Sequence, residues 1–171
     1  MSGPRARFVA LNVAGGIAVL GSYVLGLSGG AEGIWGGVPE SWRPVYTVSM
    51  LLAAAGYFLF TYYFLMRFEP APDEDAGWSA VMACYALVLV CSALWLPLTS
   101  RMLASPSSGL FAMIRIDLLL VGMGAVGLLL ILLGRRARDG SVAFWFAVAG
   151  LLPFCWQTAV LDALVWPAFF P

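Results

Sequence analysis

The chain has 171 residues, of which 62% are hydrophobic and only 11% charged. That leaves too little polar surface to cover a soluble core of this size, which argues against a lone water-soluble domain. Nine arginines, no lysine and nine acids balance to zero net charge, so a general nucleic-acid surface is not indicated.

The apolar residues fall into five blocks, each about as long as a helix that crosses a hydrocarbon core. Every block is long and mostly unbroken, which favours helices over the short alternating strands of a membrane barrel. The fold class expected is an all-α membrane protein, a five-transmembrane-helix bundle, with residues 1–171 forming a single membrane domain. The first block covers residues 8–27. Ala14, Ala18, Ser22 and Gly26 recur every four positions in it, a small-residue stripe that lets another helix approach. A cleaved signal peptide is the rival reading, with Arg5 and Arg7 as its basic start, but the apolar stretch exceeds a usual signal core. Residues 28–44 form a loop that holds Trp35, Gly36, Gly37, Pro39, Glu40, Trp42 and Arg43.

The second block covers residues 45–66 and leads to an acidic loop with Glu69, Asp73, Glu74 and Asp75. The third covers residues 78–98, with Cys84 and Cys91 on one helical face, Trp95 inside it, and Pro97 where the helix is expected to end. The cysteines read as small packing residues, since a metal site needs more ligands and the chain has no histidine. The fourth block covers residues 110–133. Asp117 falls in its first turns, where the helix dipole favours a carboxylate. Gly122, Gly124 and Gly127 spell GxGxxG within an apolar helix that follows no strand, which reads as packing and not as dinucleotide binding.

The fifth block covers residues 143–169 and carries Pro153, Trp156, Asp162 and Trp166. A carboxylate in hydrocarbon must be protonated, paired or facing a wet cavity. On an α-helix Asp162 shares its face with Thr158 and Trp166. Trp78, Trp145 and Trp166 lie near helix ends and fit an aromatic belt at the headgroups. With five spans, Arg5, Arg7, Arg67, Arg135, Arg136 and Arg138 share one membrane face, which predicts a cytoplasmic N-terminus. The spans hold no histidine or lysine and few acids, so the usual acid–base and nucleophile sets of an enzyme are missing.

An ordered set of motifs resembles the translocator protein family, also called tryptophan-rich sensory proteins. Trp35-Gly36 and Pro39-Glu40-Ser41-Trp42 look like that family's Trp-rich first loop. Pro44-Val45-Tyr46-Thr47, then Gly56-Tyr57, look like the start of its second helix and the Gly-Tyr step within it. Trp95 and Pro97, then Asp117-Leu118-Leu119-Leu120-Val121, then Pro153, Trp156, Leu161-Asp162 and Trp166 look like the signatures of its last three helices. Glu40 interrupts the loop motif, and Asp162 stands where the family has Asn.

The resemblance implies a pocket between helices, capped by the first loop, for a flat hydrophobic ligand: a porphyrin, a haem-like tetrapyrrole, a sterol or another lipid. The residues it implies as ligand-binding are Trp35, Trp42, Tyr46, Trp95, Trp156 and Asp162. No cofactor is required beyond a bound tetrapyrrole, and the partners implied are the lipid bilayer, the hydrophobic ligand and a second copy in a homodimer. The alternative class is a structural or assembly subunit that packs partner helices without a small ligand.

Overall fold

The computed structural model describes residues 3–27, 32–70, 77–134 and 139–169. Asp73, Glu74 and Asp75 of the acidic loop, and Arg135, Arg136 and Arg138, lie outside the described residues. Five helices are long and apolar enough to cross a membrane, and no strand occurs among the described residues. The chain is a multi-pass, all-α membrane protein. The helices are α1 (Gly3–Leu27), α2 (Arg43–Met66), α3 (Gly77–Ala104), α4 (Ser108–Gly134) and α5 (Val142–Phe169).

They pack as a ring, α1 on α3, α3 on α4, α4 on α5 and α5 on α2, closed by a thin seam between α2 and α1. Glycines set the closest approaches. A Cβ on Gly150 would lie 2.7 Å from the Gly56 carbonyl oxygen, so α5 and α2 touch backbone to backbone. Gly122 and Gly124 of α4 are likewise pressed against Ala159 of α5 and the Cys84 carbonyl of α3, and Gly127 faces the Cys84 thiol. The GxGxxG run is thus a helix-packing surface.

Two departures from the expected helices matter. First, α3 does not stop near Pro97 but continues to Ala104, with Thr99 and Met102 buried. A proline removes one backbone donor, yet the apolar pattern of Leu98, Met102 and Leu103 carries the helix on. Only residues 105–107 separate it from α4, which Ser107 opens by accepting the Leu110 N–H (3.1 Å). Second, α5 is α-helical only over Val142–Cys155. It becomes π-helical over Trp156–Val165, three residues past Pro153, and returns to α over Trp166–Phe169. The Trp166 N–H accordingly donates to the Leu161 carbonyl, five residues back.

The small-residue stripe of α1 divides. Ser22 is buried and Gly26 abuts Leu96, but Ala14 and Ala18 face outward. Steps of four drift about 40° each around an α-helix, so the run cannot hold one face. Steps of seven drift only about 20°. The inward positions accordingly include Phe8, Gly15 and Ser22, seven apart.

The bundle has two cores. At one end, Phe8, Phe60, Tyr63, Phe64, Phe68, Tyr85 and Phe144 form a dense aromatic plug. Trp78 packs its ring on Phe8 (5.8 Å) and Phe68 (5.2 Å), so it extends this plug from a helix end. At the other end, Val38 of the first loop is buried among Tyr46, Met102, Ile114, Leu118, Leu161 and Trp166.

Candidate functional site

The first loop seals the second end. Two short 3-10 turns, Glu32–Trp35 and Glu40–Trp42, fold it over the bundle. Between them Gly36 takes a positive φ of 55°, a conformation that side chains disfavour. The Gly37 N–H then donates to the Phe169 carbonyl (2.7 Å), pinning the loop to the end of α5. A Cβ at Gly37 would strike that same oxygen, so the contact requires glycine.

Beneath this cap four helices and the loop converge. Trp35 meets Tyr46 of α2 edge-on (6.2 Å), with the Arg43 guanidinium 5.9 Å from the indole centre. The Tyr46 hydroxyl donates to the Leu161 carbonyl of α5 (3.3 Å). Trp95 of α3 lies 6.3 Å from Tyr23 of α1 and 6.1 Å from Trp166 of α5. Asp162 is within electrostatic reach of both Tyr23 and Tyr46. Its Oδ1 accepts from the Gln157 amide at 2.7 Å. The intramembrane carboxylate is therefore paired.

The π-helical stretch makes that pair. Residues five apart on an α-helix point about 140° away from each other. A π-helix brings i and i+5 together along its own hydrogen-bond spacing. So Gln157 is the partner of Asp162, and Thr158 is not. The Thr158 hydroxyl instead donates back to the Phe154 carbonyl (2.8 Å).

Several buried polar atoms here have no partner. The Trp95 Nε1, Thr99 Oγ1, Asp117 Oδ2 and Gln157 Oε1 atoms are all shielded and unbonded. Asp117 lies nine residues into α4, which begins at Ser108, and so beyond the first turn where the helix dipole acts. It is buried and faces the Cys91 thiol of α3. An orphaned polar group in a dry interior costs about 1–3 kcal/mol. With Arg43 Nε and Ser49 Oγ, six such buried atoms lie toward the loop end of the bundle.

The structure brings together Trp35, Tyr46, Trp95 and Asp162 of the expected site. It leaves two others outside. Trp156 is 53% exposed and lines an outward groove between α2 and α5, and Trp42 is 48% exposed, against Phe169. The π-helix re-aims the fifth helix beyond Trp156, which no α-helical spacing anticipates. Sequence reasoning missed Tyr23 and Gln157. It also placed Trp166 in the headgroup belt, whereas Trp166 is buried against Trp95. Trp145, by contrast, is exposed as a belt residue should be. A seven-residue reading of α1 offers a signal for one miss, since it puts Ser22 and its neighbour Tyr23 at the inner face. Among the described residues no cluster of side chains could hold a metal ion. No family model, curated protein or solved structure matches the chain.

Proposed function

We propose that the chain binds a flat hydrophobic molecule at the aromatic cluster under the first loop, as the resemblance to translocator-like proteins implies. The observation that carries this reading is the Trp95 indole. Its N–H is buried and unpartnered between Tyr23 and Trp166, beside further unbonded acceptors. Aromatic walls with a few convergent polar groups suit a planar apolar ligand that has a polar edge. Porphyrins and haem-like tetrapyrroles have that form, and a sterol is the second candidate. The arginine distribution supports a cytoplasmic N-terminus, which sets the loop and the aromatic cluster on the opposite face.

A second reading, an assembly subunit that packs partner helices, has its own support. Ala14 and Ala18 face outward on α1, with Ile17 and Leu20 exposed between and beyond them. A small-residue surface of this kind suits a second helix, including that of another copy.

The test is a titration of detergent-purified protein with protoporphyrin IX, followed by tryptophan fluorescence. The tetrapyrrole reading expects saturable quenching near equimolar ligand. Trp95→Phe weakens it, and Trp156→Phe leaves the affinity unchanged because that residue lies outside the cluster. No saturable signal from a well-folded sample overturns the tetrapyrrole reading. Stable co-purification with a partner in that case favours the assembly subunit.

A further inference from the structure

Asp162 is a carboxylate inside a membrane span with no cation beside it. Among the described residues the ion pairs join Arg5 to Glu69 and Arg43 to Glu40, and no basic group acts on Asp162. Its Oδ1 accepts from the Gln157 amide (2.7 Å). Its Oδ2 has no hydrogen-bond partner, yet it is not one of the enclosed polar atoms of the bundle. The residue is accordingly half-buried, whereas Gln157 is buried. The free carboxylate oxygen therefore opens onto accessible space. On the amide that holds the other oxygen, Gln157 Oε1 is buried and unpartnered. Two oxygens without a neutralising partner thus stand close together, and the local field is negative.

The neighbours of Asp162 locate that space at the thin seam between α1 and α2. The hydrogen bond from Tyr57 to Asn12 (2.6 Å) fixes the register of those two antiparallel helices. Eleven residues make close to three full α-helical turns. The same step toward the loop end on both helices brings Tyr23 opposite Tyr46. Asp162, on α5, is within electrostatic reach of both. Trp95 follows, 6.3 Å from Tyr23 and 6.1 Å from Trp166 between ring centres. The open oxygen is thus set among tyrosine and tryptophan rings, whose faces attract cations. A cation gains from the carboxylate and from the rings, and an anion loses on both counts. Arg43, the arginine of the cap, is engaged elsewhere, over Trp35 and beside Glu40. Asp162 lies seven residues before Phe169, where the span ends, so it sits about two turns below the membrane surface. That depth suits a molecule whose apolar body stays in hydrocarbon while its charge stays near the headgroups.

We infer that Asp162 is the anionic end of a site, beside the α1–α2 seam, for a planar, lipid-soluble organic cation such as a protonated or quaternary aromatic amine. The inference rests on the reading of the aromatic cluster as a ligand site and adds the charge of its occupant. The cation is the counter-ion that an intramembrane carboxylate needs and that the chain does not provide. Its ring meets the tyrosines and Trp95, and its charge meets Asp162 Oδ2.

The experiment uses the full chain in dodecyl maltoside at pH 8 and compares three tricyclic probes of one size. N-methylacridinium is the cation, acridine its neutral counterpart and anthracene-9-carboxylate the anion. Saturable tryptophan quenching gives each affinity, with linear partition into micelles subtracted. The cation is expected to bind at one per chain, about tenfold more tightly than acridine, and the anion more weakly than acridine. Asp162→Asn keeps an oxygen for the Gln157 amide and removes the charge, so it brings the cation to the level of acridine. A wild-type chain that binds acridine as tightly as N-methylacridinium overturns the inference, a comparison that needs no variant to fold. A preference for the cation that survives in Asp162→Asn overturns it as well. Saturable binding without charge preference removes the cation and leaves the aromatic cluster as a ligand site. No saturation by any of the three also overturns the inference, and the protoporphyrin titration then decides separately whether the cluster binds a ligand.

Discussion

The two ends of this bundle are built from the same kinds of residue and treat their polar groups in opposite ways. In the plug the hydroxyls are paired. Tyr57 donates to Asn12 Oδ1 (2.6 Å), Thr61 and Tyr85 share a hydrogen bond (3.0 Å), and Tyr63 donates to Asp139 Oδ2 (2.8 Å). Under the loop, Trp95, Thr99, Asp117 and Gln157 each keep a buried polar atom unbonded. A membrane interior offers no bulk water to correct such a fault. The plug therefore holds the ring together with its polar groups satisfied, whereas the loop end leaves several of its own unsatisfied. A sequence with tryptophans and tyrosines at both ends does not distinguish the two. Hydrogen-bond satisfaction does.

The largest expected effect belongs to the plug. Phe60 is fully buried and meets Tyr57 (5.3 Å), Tyr85 (6.0 Å) and Phe154 (5.2 Å). Helix association within a bilayer depends on this kind of close packing. Phe60→Ala is expected to lower stability by about 3–5 kcal/mol, the usual range for truncating a core phenylalanine. An unfolding titration with SDS in mixed micelles measures it. A loss below about 1 kcal/mol would remove the assignment of this end as the stability centre and erase the contrast.

The same contrast explains what the sequence disclosed and what it concealed. Block length and hydropathy are one-dimensional properties, so five spans and their loops are legible from residue order alone. The plug was less visible, because Phe8 and Phe144 join it only once α1 and α5 are set in place. Trp35, Tyr46, Trp95 and Asp162 were singled out by residue type and order, and the fold sets them near one another. Gln157 was hidden because its pairing with Asp162 depends on a change of helical period, and no α-helical wheel shows that. Trp156 is turned outward at the end of the α-helical stretch, its N–H still bonded to the Leu152 carbonyl, so the change of period is not what exposes it. Pro153 was the visible warning, since a proline within a span frees a carbonyl and invites local rewinding.

A smaller effect tests the outer rim of the plug. Burial pushes the Asp139 carboxyl up, but the Ser141 N–H and hydroxyl, the Tyr63 hydroxyl and the Arg67 charge together hold it below its ordinary value. Its Oδ1 accepts the Ser141 N–H (2.9 Å), and Ser141 in turn caps α5 by accepting from Phe144 (3.2 Å). A carboxyl lowered on folding adds stability above its unfolded value of about 3.9, and loses it as pH falls below that value and through the lower folded one. Tyr63→Phe is expected to cost about 1 kcal/mol at pH 7. The difference from wild type should shrink as pH falls below about 4, where the carboxylate protonates. A gap that persists unchanged at pH 3 would assign the tyrosine's contribution to packing rather than to Asp139.

The smallest effect on stability is also the most telling, because it comes from the other end. Trp95→Phe keeps an aromatic ring between Tyr23 and Trp166 and removes the indole N–H. Were that N–H bonded within the folded chain, its loss would cost about 1 kcal/mol, as for Tyr63→Phe. It is buried without a partner, so removing it also removes a desolvation penalty. Some ring contact is lost with the smaller side chain, and the two terms oppose each other. The expected net change is within about 0.5 kcal/mol of zero, or slightly stabilising, in the same SDS titration. A donor whose removal leaves folding intact while protoporphyrin quenching weakens is held for the ligand. A loss of 2 kcal/mol or more would mean that Trp95 serves the bundle's own packing, and the loop end would then differ from the plug in degree and not in kind.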